Sequence, residues 1–300
     1  MTDIEWVLNQ DGTRGITVNS KTGCLNGCEY CYARKLANGR LKTRYLENPI
    51  IIGNDQWKCA HTPTELNVRL NDPFYPRWWP ERLEQLRKRK KPTGIFLDDM
   101  SDWMGDYWPE EWTRQELQVM RDCPQHRLYT LTKQPQNLIK FSPFPDNCWV
   151  GVTVCNDKML DVAVDKLEDI QAKIKFISFE PLLERLTLSL DYAFYYSGIN
   201  WLIIGALTGT KQDLLKLKSC RPELTLMPYG NEWTLQPRIE WVQEIVEAAD
   251  KAGIPVFLKE NLRHLLLDRQ SKLIRKPFCH SEFKWHLRQE MPRLGQSKSA

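Results

Sequence analysis

The sequence predicts an α/β fold, a (β/α) barrel of the TIM type. Short apolar strands recur along the 300 residues, and stretches of helical character separate most of them. Alternation of this kind gives parallel strands joined by helical crossovers. Eight units fit a complete eight-stranded barrel, whereas six core units and two looser ones fit an open six-stranded barrel. The predicted strands span residues 15–19, 64–69, 94–97, 127–132, 148–154, 174–179, 201–206 and 254–258.

The helices are predicted from the spacing of apolar and charged residues. The clearest covers residues 238–252, in which apolar side chains recur every three or four positions at Ile239, Val242, Ile245, Val246 and Ala249. Further helices are predicted over residues 32–37, 81–91, 113–121 and 158–172. Between the last two strands, residues 211–237 are expected to form a long loop or a small insertion.

These elements place one barrel domain in residues 1–261, with a cysteine-rich loop at 23–33. Residues 262–300 are basic and are predicted to cap one barrel end or to form a tail. Cys279, His280 and His286 in this tail are a weak candidate group for binding a metal.

Composition sets broad limits on the class of protein. The chain is 42% hydrophobic and 27% charged, with a formal net charge of +4, which is typical of a globular protein. The sequence contains no run of 18 or more apolar residues, so no membrane span is predicted. Its first residues do not resemble a secretory signal. Nine cysteines without a paired framework favour a reducing compartment. We therefore expect a cytoplasmic protein.

The loop at 23–33 places three cysteines within eight residues. Cys24, Cys28 and Cys31 are spaced Cys-x3-Cys-x2-Cys, and Gly23 and Gly27 allow the chain to bend tightly around a bulky group. Three thiolates on one loop can hold three corners of a [4Fe–4S] cluster and leave its fourth iron open. A structural zinc site, a disulfide loop and inert thiols are the alternatives. Zinc is less favoured because its four ligands usually come as two close pairs, and only Cys28 and Cys31 have that spacing.

The cysteine spacing, with Tyr30 just before the third cysteine, resembles the signature of the radical S-adenosylmethionine superfamily. The resemblance implies two cofactors, a [4Fe–4S] cluster and S-adenosylmethionine, whose amino and carboxylate groups bind the open iron. One electron cleaves the sulfonium, and the resulting 5′-deoxyadenosyl radical abstracts hydrogen from a substrate. The resemblance also implies a reductant such as flavodoxin or ferredoxin as a partner.

A narrower resemblance is to an uncharacterised three-cysteine family common in phages and bacterial genomes, and it covers about residues 4–260. Its landmarks stand in order here: Ile4-Glu5-Trp6, Gly23-Cys24, Cys31-Tyr32-Ala33, Met100-Ser101-Asp102, Leu131-Thr132-Lys133, Gly151-Val152-Thr153-Val154, Glu180-Pro181-Leu182-Leu183 and Phe257-Leu258-Lys259. The chain departs from the family at residues 205–209, where an acid usually stands and Leu207 follows Gly205-Ala206 instead.

Polar residues at the carboxyl ends of the predicted strands are the candidates for binding the cofactor, because barrel active sites form there. With Tyr30 in the loop, they are Asp99, Ser101, Thr132, Lys133, Asn156, Glu180 and Lys259. The resemblance implies that Tyr30 contacts adenine and that the acids and hydroxyls hold the ribose and methionine ends. The two lysines would bind a carboxylate or substrate anion, or pair with a rim acid instead. A helix N-cap is the ordinary role for Ser101 or Asp102.

No catalytic residue and no substrate follow from the sequence. A nucleic acid or nucleotide is compatible with the basic run at residues 87–91, the basic tail and the twelve tryptophans; a peptide or a small molecule stays open. We interpret Asp72-Pro73 as a turn in preference to a cofactor motif. Two other classes compete: a non-catalytic iron–sulfur or zinc protein that binds nucleic acid, and a barrel hydrolase with Asp98, Asp99 and Glu180 on a divalent ion.

Overall fold

The computed structural model describes residues 1–53, 63–267, 274–275 and 286–292. The α-helices there are α1 (Tyr32–Asn38), α2 (Lys42–Leu46), α3 (Pro63–Leu70), α4 (Glu84–Lys88), α5 (Glu110–Asp122), α6 (Asp157–Glu168), α7 (Leu190–Tyr196), α8 (Lys211–Ser219) and α9 (Ile239–Ala252). Short 3-10 helices cover Pro80–Arg82, Pro135–Phe141 and Glu260–Leu267.

The strands are short, and most are buried along their length. They are β1 (Ile16–Val18), β2 (Lys21–Thr22), β3 (Arg77–Trp78), β4 (Gly94–Leu97), β5 (Arg127–Thr132), β6 (Cys148–Thr153), β7 (Ile174–Phe179), β8 (Trp201–Ile204), β9 (Leu207–Gly209), β10 (Thr225–Tyr229), β11 (Glu232–Gln236), β12 (Val256–Leu258), β13 (Ile274–Arg275) and β14 (His286–Leu287). The chain divides into two compact units within β6: residues 1–151 with 170–173, and residues 152–169 with 174–300.

The first unit contains strands β1, β4, β5 and the start of β6, in that order. The pairs of β1 with β4 and of β4 with β5 are parallel, with Ile16 opposite Ile95 and Ile95 opposite Leu128. All four residues of β4 are buried, as expected for a strand covered on both faces. Strand β2 pairs antiparallel with β3 and leads directly into the cysteine loop.

Aromatic side chains fill the interior of the first unit. Trp6 packs on Phe96 and Tyr129 with ring centroids 4.9 and 5.7 Å apart, and Trp149 meets Tyr129 at 5.2 Å. The Tyr129 hydroxyl donates to the carbonyl oxygen of Leu8 at 3.0 Å, so its polar end is satisfied as burial requires. Several of the many tryptophans therefore serve the core.

The second unit contains the end of β6, followed by β7, β8 and β12 in that order. The pairs of β7 with β8 and of β8 with β12 are parallel. Helix α9 buries the predicted apolar face and ends at Gly253, whose φ of +65° is the left-handed conformation that glycine adopts most easily. The helix predicted at residues 238–252 is thus confirmed.

The second unit also contains a small antiparallel sheet in the order β10, β11, β9, accompanied by α8. Of the two forms expected for residues 211–237, the structure shows the small insertion, with its own hairpin. Part of the predicted tail is ordered as well, because the backbone of Leu258 donates to Arg288 and that of Glu290 donates to Val256.

One predicted strand is wrong. Residues 64–69 lie in helix α3, although Leu66, Val68 and Leu70 alternate with polar residues as in a strand. Val68 is 66% exposed, so the alternation does not mark a buried face. Leu66 and Leu70 lie four residues apart, on one side of the helix. The α/β class and the parallel strands are confirmed, and the described residues contain seven of the eight predicted strands.

The boundary between a barrel at 1–261 and a tail at 262–300 stays a prediction. Cys279 and His280 lie outside the described residues, and only the backbone of His286 lies within them. No helix in the described part of the chain has the length and apolarity needed to cross a bilayer.

A buried ion pair joins β2 to α5 in the first unit. The Lys21 ammonium lies 2.8 Å from the Glu116 carboxylate, and both side chains are completely buried. Lys21 also donates to the Thr113 hydroxyl at 2.8 Å, and the Trp103 indole donates to Glu116 at 3.0 Å. These bonds compensate the cost of removing two charges from water. They also hold the strand that leads directly into the cysteine loop.

Replacing Glu116→Gln leaves the Lys21 charge buried without its counter-charge, and we expect a loss of about 3–5 kcal/mol of stability. Urea unfolding followed by circular dichroism measures it. Glu110→Gln is the matched control on the same helix, because its carboxylate is 49% exposed and pairs with Arg114 at the surface. That variant should lose less than about 1 kcal/mol. Equal losses in both variants would contradict this account of the buried pair.

Candidate functional site

The cysteine loop begins directly after β2 and ends at α1. Gly23 and Gly27 both have positive φ, +85° and +69°, which explains glycine at these two positions. A Cβ on Gly23 would also lie 2.5 Å from the carbonyl oxygen of Phe74, so no larger residue fits there. The Gly23 amide donates to the carbonyl oxygen of Met100, and the Cys24 amide donates to that of Phe74. The start of the loop is therefore fixed by backbone bonds.

The three thiols of the loop are free and only partly buried. The Cys31 sulfur caps α1 by accepting from the Arg34 amide at 3.3 Å, and the Cys24 sulfur accepts from the Asn26 amide at 3.4 Å. These two sulfurs already accept backbone hydrogen bonds of the kind that stabilises a thiolate. The predicted helix at 32–37 is confirmed as α1, which Cys31 begins.

The thiols also act on one another electrostatically. Burial raises the pKa of the Cys24 thiol to about 11, and the negative charge of Cys28 adds to the rise. Burial also raises the pKa of Cys28; the Lys133 ammonium opposes this, and the charge of Cys31 adds to it. Thiols with a raised pKa, such as Cys24 and Cys28, are poor nucleophiles, but a cationic group bound at the loop would stabilise their thiolates.

In the described residues, no three His, Cys, Asp or Glu side chains converge closely enough to hold a single metal ion. A [4Fe–4S] cluster does not need such convergence, because each thiolate binds a different iron. The donor set of three neighbouring thiols, with two glycines that open the loop, therefore fits such a cluster better than a mononuclear zinc site.

The Asp102 carboxylate connects this loop to the end of β5. It accepts from the Asn26 side chain at 2.7 Å, from the Lys133 amide at 2.8 Å and from the Thr132 hydroxyl at 2.5 Å. Two predicted cofactor residues, Thr132 and Lys133, are thereby brought to the loop. The predicted cap role of Ser101 or Asp102 is wrong, because the next α-helix is α5 and its N-cap is Pro109.

Asp99 and Ser101 lie beside the loop on the segment after β4. Asp99 accepts from the Asn19 side chain at 2.6 Å, and its carbonyl oxygen accepts from the Tyr32 hydroxyl at 2.6 Å. Burial raises the pKa of Asp99 to about 6. Ser101 pairs with Gly23 in a parallel bridge, and its hydroxyl is buried with no hydrogen-bond partner in the described residues. Tyr30 is half-buried within the loop itself.

The other three predicted residues belong to the second unit. Lys259 forms an ion pair with Glu180, which is the pairing with a rim acid that was one of its two expected roles. Gly205 provides the space, because a Cβ there would lie 3.0 Å from Lys259 and 3.3 Å from Glu180. The Asn156 side chain caps α6 by accepting from the Met159 amide at 2.9 Å. That contact is structural and accounts for the position of this asparagine.

Sequence reasoning assigned Asp98 to a possible hydrolase site, but the structure gives it another role. Asp98 is buried with a φ of +63°, and its carboxylate accepts from the Lys21 amide at 2.8 Å. Burial raises its pKa, and the neighbouring Glu116 carboxylate raises it further. Asp72 accepts from the Phe74 amide at 2.8 Å, which confirms the turn. Asp98 was singled out because it directly follows a buried strand, and Asp72 because it stands before Pro73.

The basic run at residues 87–91 is partly neutralised. Arg87 binds both Glu84 and Asp122, and Lys91 lies 3.7 Å from Asp11. Lys88, Arg89 and Lys90 are exposed and have no carboxylate partner in the described part of the chain. The charge available to a polyanion is therefore smaller than the sequence indicates.

A family described as "Protein of unknown function (DUF5131)" matches residues 1–219. No curated protein matches the chain. Among solved structures, a spore photoproduct lyase double mutant with bound AdoMet and dinucleoside spore photoproduct has a TM-score of 0.49 and 11% identity, covering 81% of this chain and 75% of that one. The lyase complexed with dinucleoside spore photoproduct has the same TM-score and 12% identity over 80% and 75%. Values this low establish no activity.

Asp99→Asn tests the buried carboxyl group beside the loop. An ordinary aspartate has a pKa of 3.8, and the folded protein raises it to about 6. The stability that the neutral form contributes is fully present below about pH 4 and is lost as the pH rises through 6. Relative to the variant, the wild type should lose about 3 kcal/mol between these limits. Urea unfolding of the metal-free protein measures this, with the exposed Asp106→Asn as control. Parallel pH profiles of wild type and Asp99→Asn would contradict the assignment.

Proposed function

The chain belongs to this family of proteins of unknown function, and we propose that it is a radical S-adenosylmethionine enzyme that holds a [4Fe–4S] cluster on Cys24, Cys28 and Cys31. The observation that carries the proposal is the donor set. Three partly buried thiols lie within electrostatic reach of one another on one glycine-bounded loop. Three thiolates leave one iron of such a cluster without a protein ligand. That open position is what S-adenosylmethionine requires.

When bound, the two cofactors would supply one-electron cleavage of a sulfonium and hydrogen abstraction from the substrate. The work of the chain is to bind and to orient them. The Lys133 ammonium already acts on Cys28 and would favour the thiolate that iron needs. The buried Ser101 hydroxyl, for which no partner is found in the described residues, offers a hydrogen bond to a polar group of the nucleotide.

Asp99 is the candidate for the ribose or for the methionine amino group. Burial raises the pKa of its carboxyl to about 6. A cationic amino group beside this carboxyl would lower that pKa and favour the charged form. The Asn19 bond holds the carboxylate in one orientation. Tyr30 lies half-buried in the same loop and presents an aromatic face for adenine.

Glu180 and Lys259 in the second unit are candidates for the methionine ends or for a substrate anion. Their ion pair is only partly buried, with side chains 26% and 15% exposed. A ligand carboxylate could replace Glu180 as the partner of Lys259 because the pair is not closed off from water. Asn156 is the weakest candidate, since its side chain already caps α6.

Anaerobic reconstitution with iron and sulfide, followed by dithionite and S-adenosylmethionine, should release 5′-deoxyadenosine. Replacing Cys24, Cys28 and Cys31 together by alanine should abolish both the release and the bound iron, because no thiolates remain to hold the cluster. Cys220→Ala is the matched control, since Cys220 is a free, exposed cysteine in the second unit. It should retain both properties.

Two outcomes would contradict the proposal. Tight iron or zinc without 5′-deoxyadenosine would favour a non-catalytic metal protein. A hydrolytic activity that is intact in the triple cysteine variant, without 5′-deoxyadenosine release by the wild type, would favour a hydrolase. The identity of the reductant, such as flavodoxin or ferredoxin, stays a prediction that dithionite bypasses in this assay.

A nucleic acid or nucleotide is the substrate class that we propose to test first. Three exposed cations at the end of α4, Lys88, Arg89 and Lys90, support it. Cations without acidic partners release counterions when they contact phosphates, so binding depends on salt.

Changing Lys88, Arg89 and Lys90 together to alanine should weaken binding of single-stranded oligonucleotides and reduce the slope of log K against log salt by about 2. Fluorescence anisotropy across a salt series measures both quantities. A control variant removes the same charge elsewhere, at the exposed Lys158, Lys173 and Lys251. Equal slopes for both triple variants, or no binding by the wild type, would remove these cations and the nucleic-acid substrate from consideration.

A further inference from the structure

Arg34 contacts the first and the last cysteine of the loop at once. Its backbone amide donates to the Cys31 sulfur at 3.3 Å, and a terminal nitrogen of its guanidinium donates to the carbonyl oxygen of Cys24, also at 3.3 Å. Arg34 follows Cys24 by ten residues, so the side chain reaches back across the whole loop. One residue of α1 therefore ties the two outer cysteines together.

An aromatic ring holds the guanidinium of Arg34 in place. The guanidinium lies over Phe74, 4.7 Å from the centroid of the ring, which is within the range of a cation–π contact. Phe74 is only 2% exposed and belongs to the core on which both Cys24 and Cys31 pack. The amide of Phe74 donates to the Asp72 carboxylate at 2.8 Å. The turn at Asp72 thereby fixes the backbone that carries this ring.

Cys24 is held through both of its backbone polar groups. Its amide donates to the carbonyl oxygen of Phe74 at 3.2 Å, and its carbonyl oxygen accepts from Arg34. Residues 25–30, all within the described part of the chain, form no helix or strand, so backbone pairing of that kind does not order them. The order of the loop depends on contacts with neighbouring segments, and Arg34 supplies a contact that spans its two ends.

An arginine suits this position better than a lysine would. The guanidinium is planar, so it can lie over a ring and still donate hydrogen bonds from its edge. A lysine ammonium is a compact charge that does not combine the two contacts in the same geometry. Side chains on a helix tilt toward its N-terminus, and α1 begins at the loop, so the side chain of Arg34 is directed back onto the loop.

We infer that Arg34 is a positioning residue, whose side chain orders the cysteine loop before any cluster binds by holding Cys24 in place relative to Phe74 and Cys31. The use of this order by a [4Fe–4S] cluster rests on the proposed function. Residues that orient metal ligands from outside the coordination sphere commonly change metal affinity by about 10- to 100-fold when they are replaced. A loop that is already ordered also spares the binding step the entropy of ordering it.

The first measurement uses the reduced, metal-free protein. Arg34→Met keeps an unbranched stem and removes the guanidinium, while the bond to the Cys31 sulfur survives because it comes from the backbone. Hydrogen–deuterium exchange of residues 23–31 should become about tenfold faster, since a hydrogen bond from a charged donor is lost. Exchange in α5 should not change, which separates a local effect from general destabilisation. Arg40→Met is the matched control, because it removes the same charge at an exposed position, and its exchange should equal that of the wild type.

The second measurement uses the protein reconstituted anaerobically with iron and sulfide. Release of iron to a chelator, followed by the loss of cluster absorbance, should be about 10- to 100-fold faster in Arg34→Met than in the wild type. Arg34→Lys keeps the charge but not the planar group, so it should behave like Arg34→Met in both measurements. Arg40→Met should release iron at the wild-type rate.

Unchanged exchange of residues 23–31 in Arg34→Met, or an equal rise in Arg40→Met, overturns the role of Arg34 and leaves the proposed function intact. Wild-type behaviour of Arg34→Lys overturns it too, because the charge alone would then be sufficient. Faster exchange with an unchanged rate of iron release overturns the use of this order by the cluster. A wild-type protein that takes up no cluster, while Arg34→Met still exchanges faster, overturns the proposed function and supports the ordering of the loop by Arg34.

Discussion

The Asp102 carboxylate accepts hydrogen bonds from the cysteine loop and from the end of β5 at the same time. Its side chain is almost completely buried, at 4% exposure, so each bond replaces one that water would otherwise provide. Bonds to a charged acceptor are worth about 1.5–3 kcal/mol each. The loop has no regular structure of its own between β2 and α1, and it depends on this acid to keep one conformation. The proposed cofactor residues Thr132 and Lys133 depend on it as well.

Burial is the largest influence on the electrostatics of the loop. Burial raises the pKa of both Cys24 and Cys28, and Lys133 is the cation that opposes this rise at Cys28. A loop of this kind is stable with protonated thiols and becomes a set of thiolates only when a positive group arrives. The buried hydroxyl of Ser101 lies beside the loop and has no hydrogen-bond partner in the described residues. Polar atoms of this sort are expected where a ligand completes the hydrogen bonding.

The structural network behind the loop uses residues that the sequence marks as functional. Asp98 was a candidate for binding a divalent ion, yet its carboxylate accepts from Lys21 and lies against Glu116. Asn156 was a cofactor candidate, yet it caps α6. Both are polar residues at strand ends, where a functional role and a structural role produce the same sequence pattern. Burial and hydrogen-bond partners separate the two roles, and neither is visible in one sequence.

The sequence by itself determined the elements and the cysteine loop. The strand at 94–97 and the helix at 238–252 were found because local periodicity reports which face of a short segment is buried. It failed for residues 64–69, where the two alternating apolar residues, Leu66 and Val68, lie on a largely exposed helix. Only the tertiary structure decided which polar groups serve the loop. Asn26 and Asp102 are 76 residues apart in the chain, yet their side chains are joined by a hydrogen bond. Contacts of this range depend on the packing of the whole unit, which no local pattern encodes.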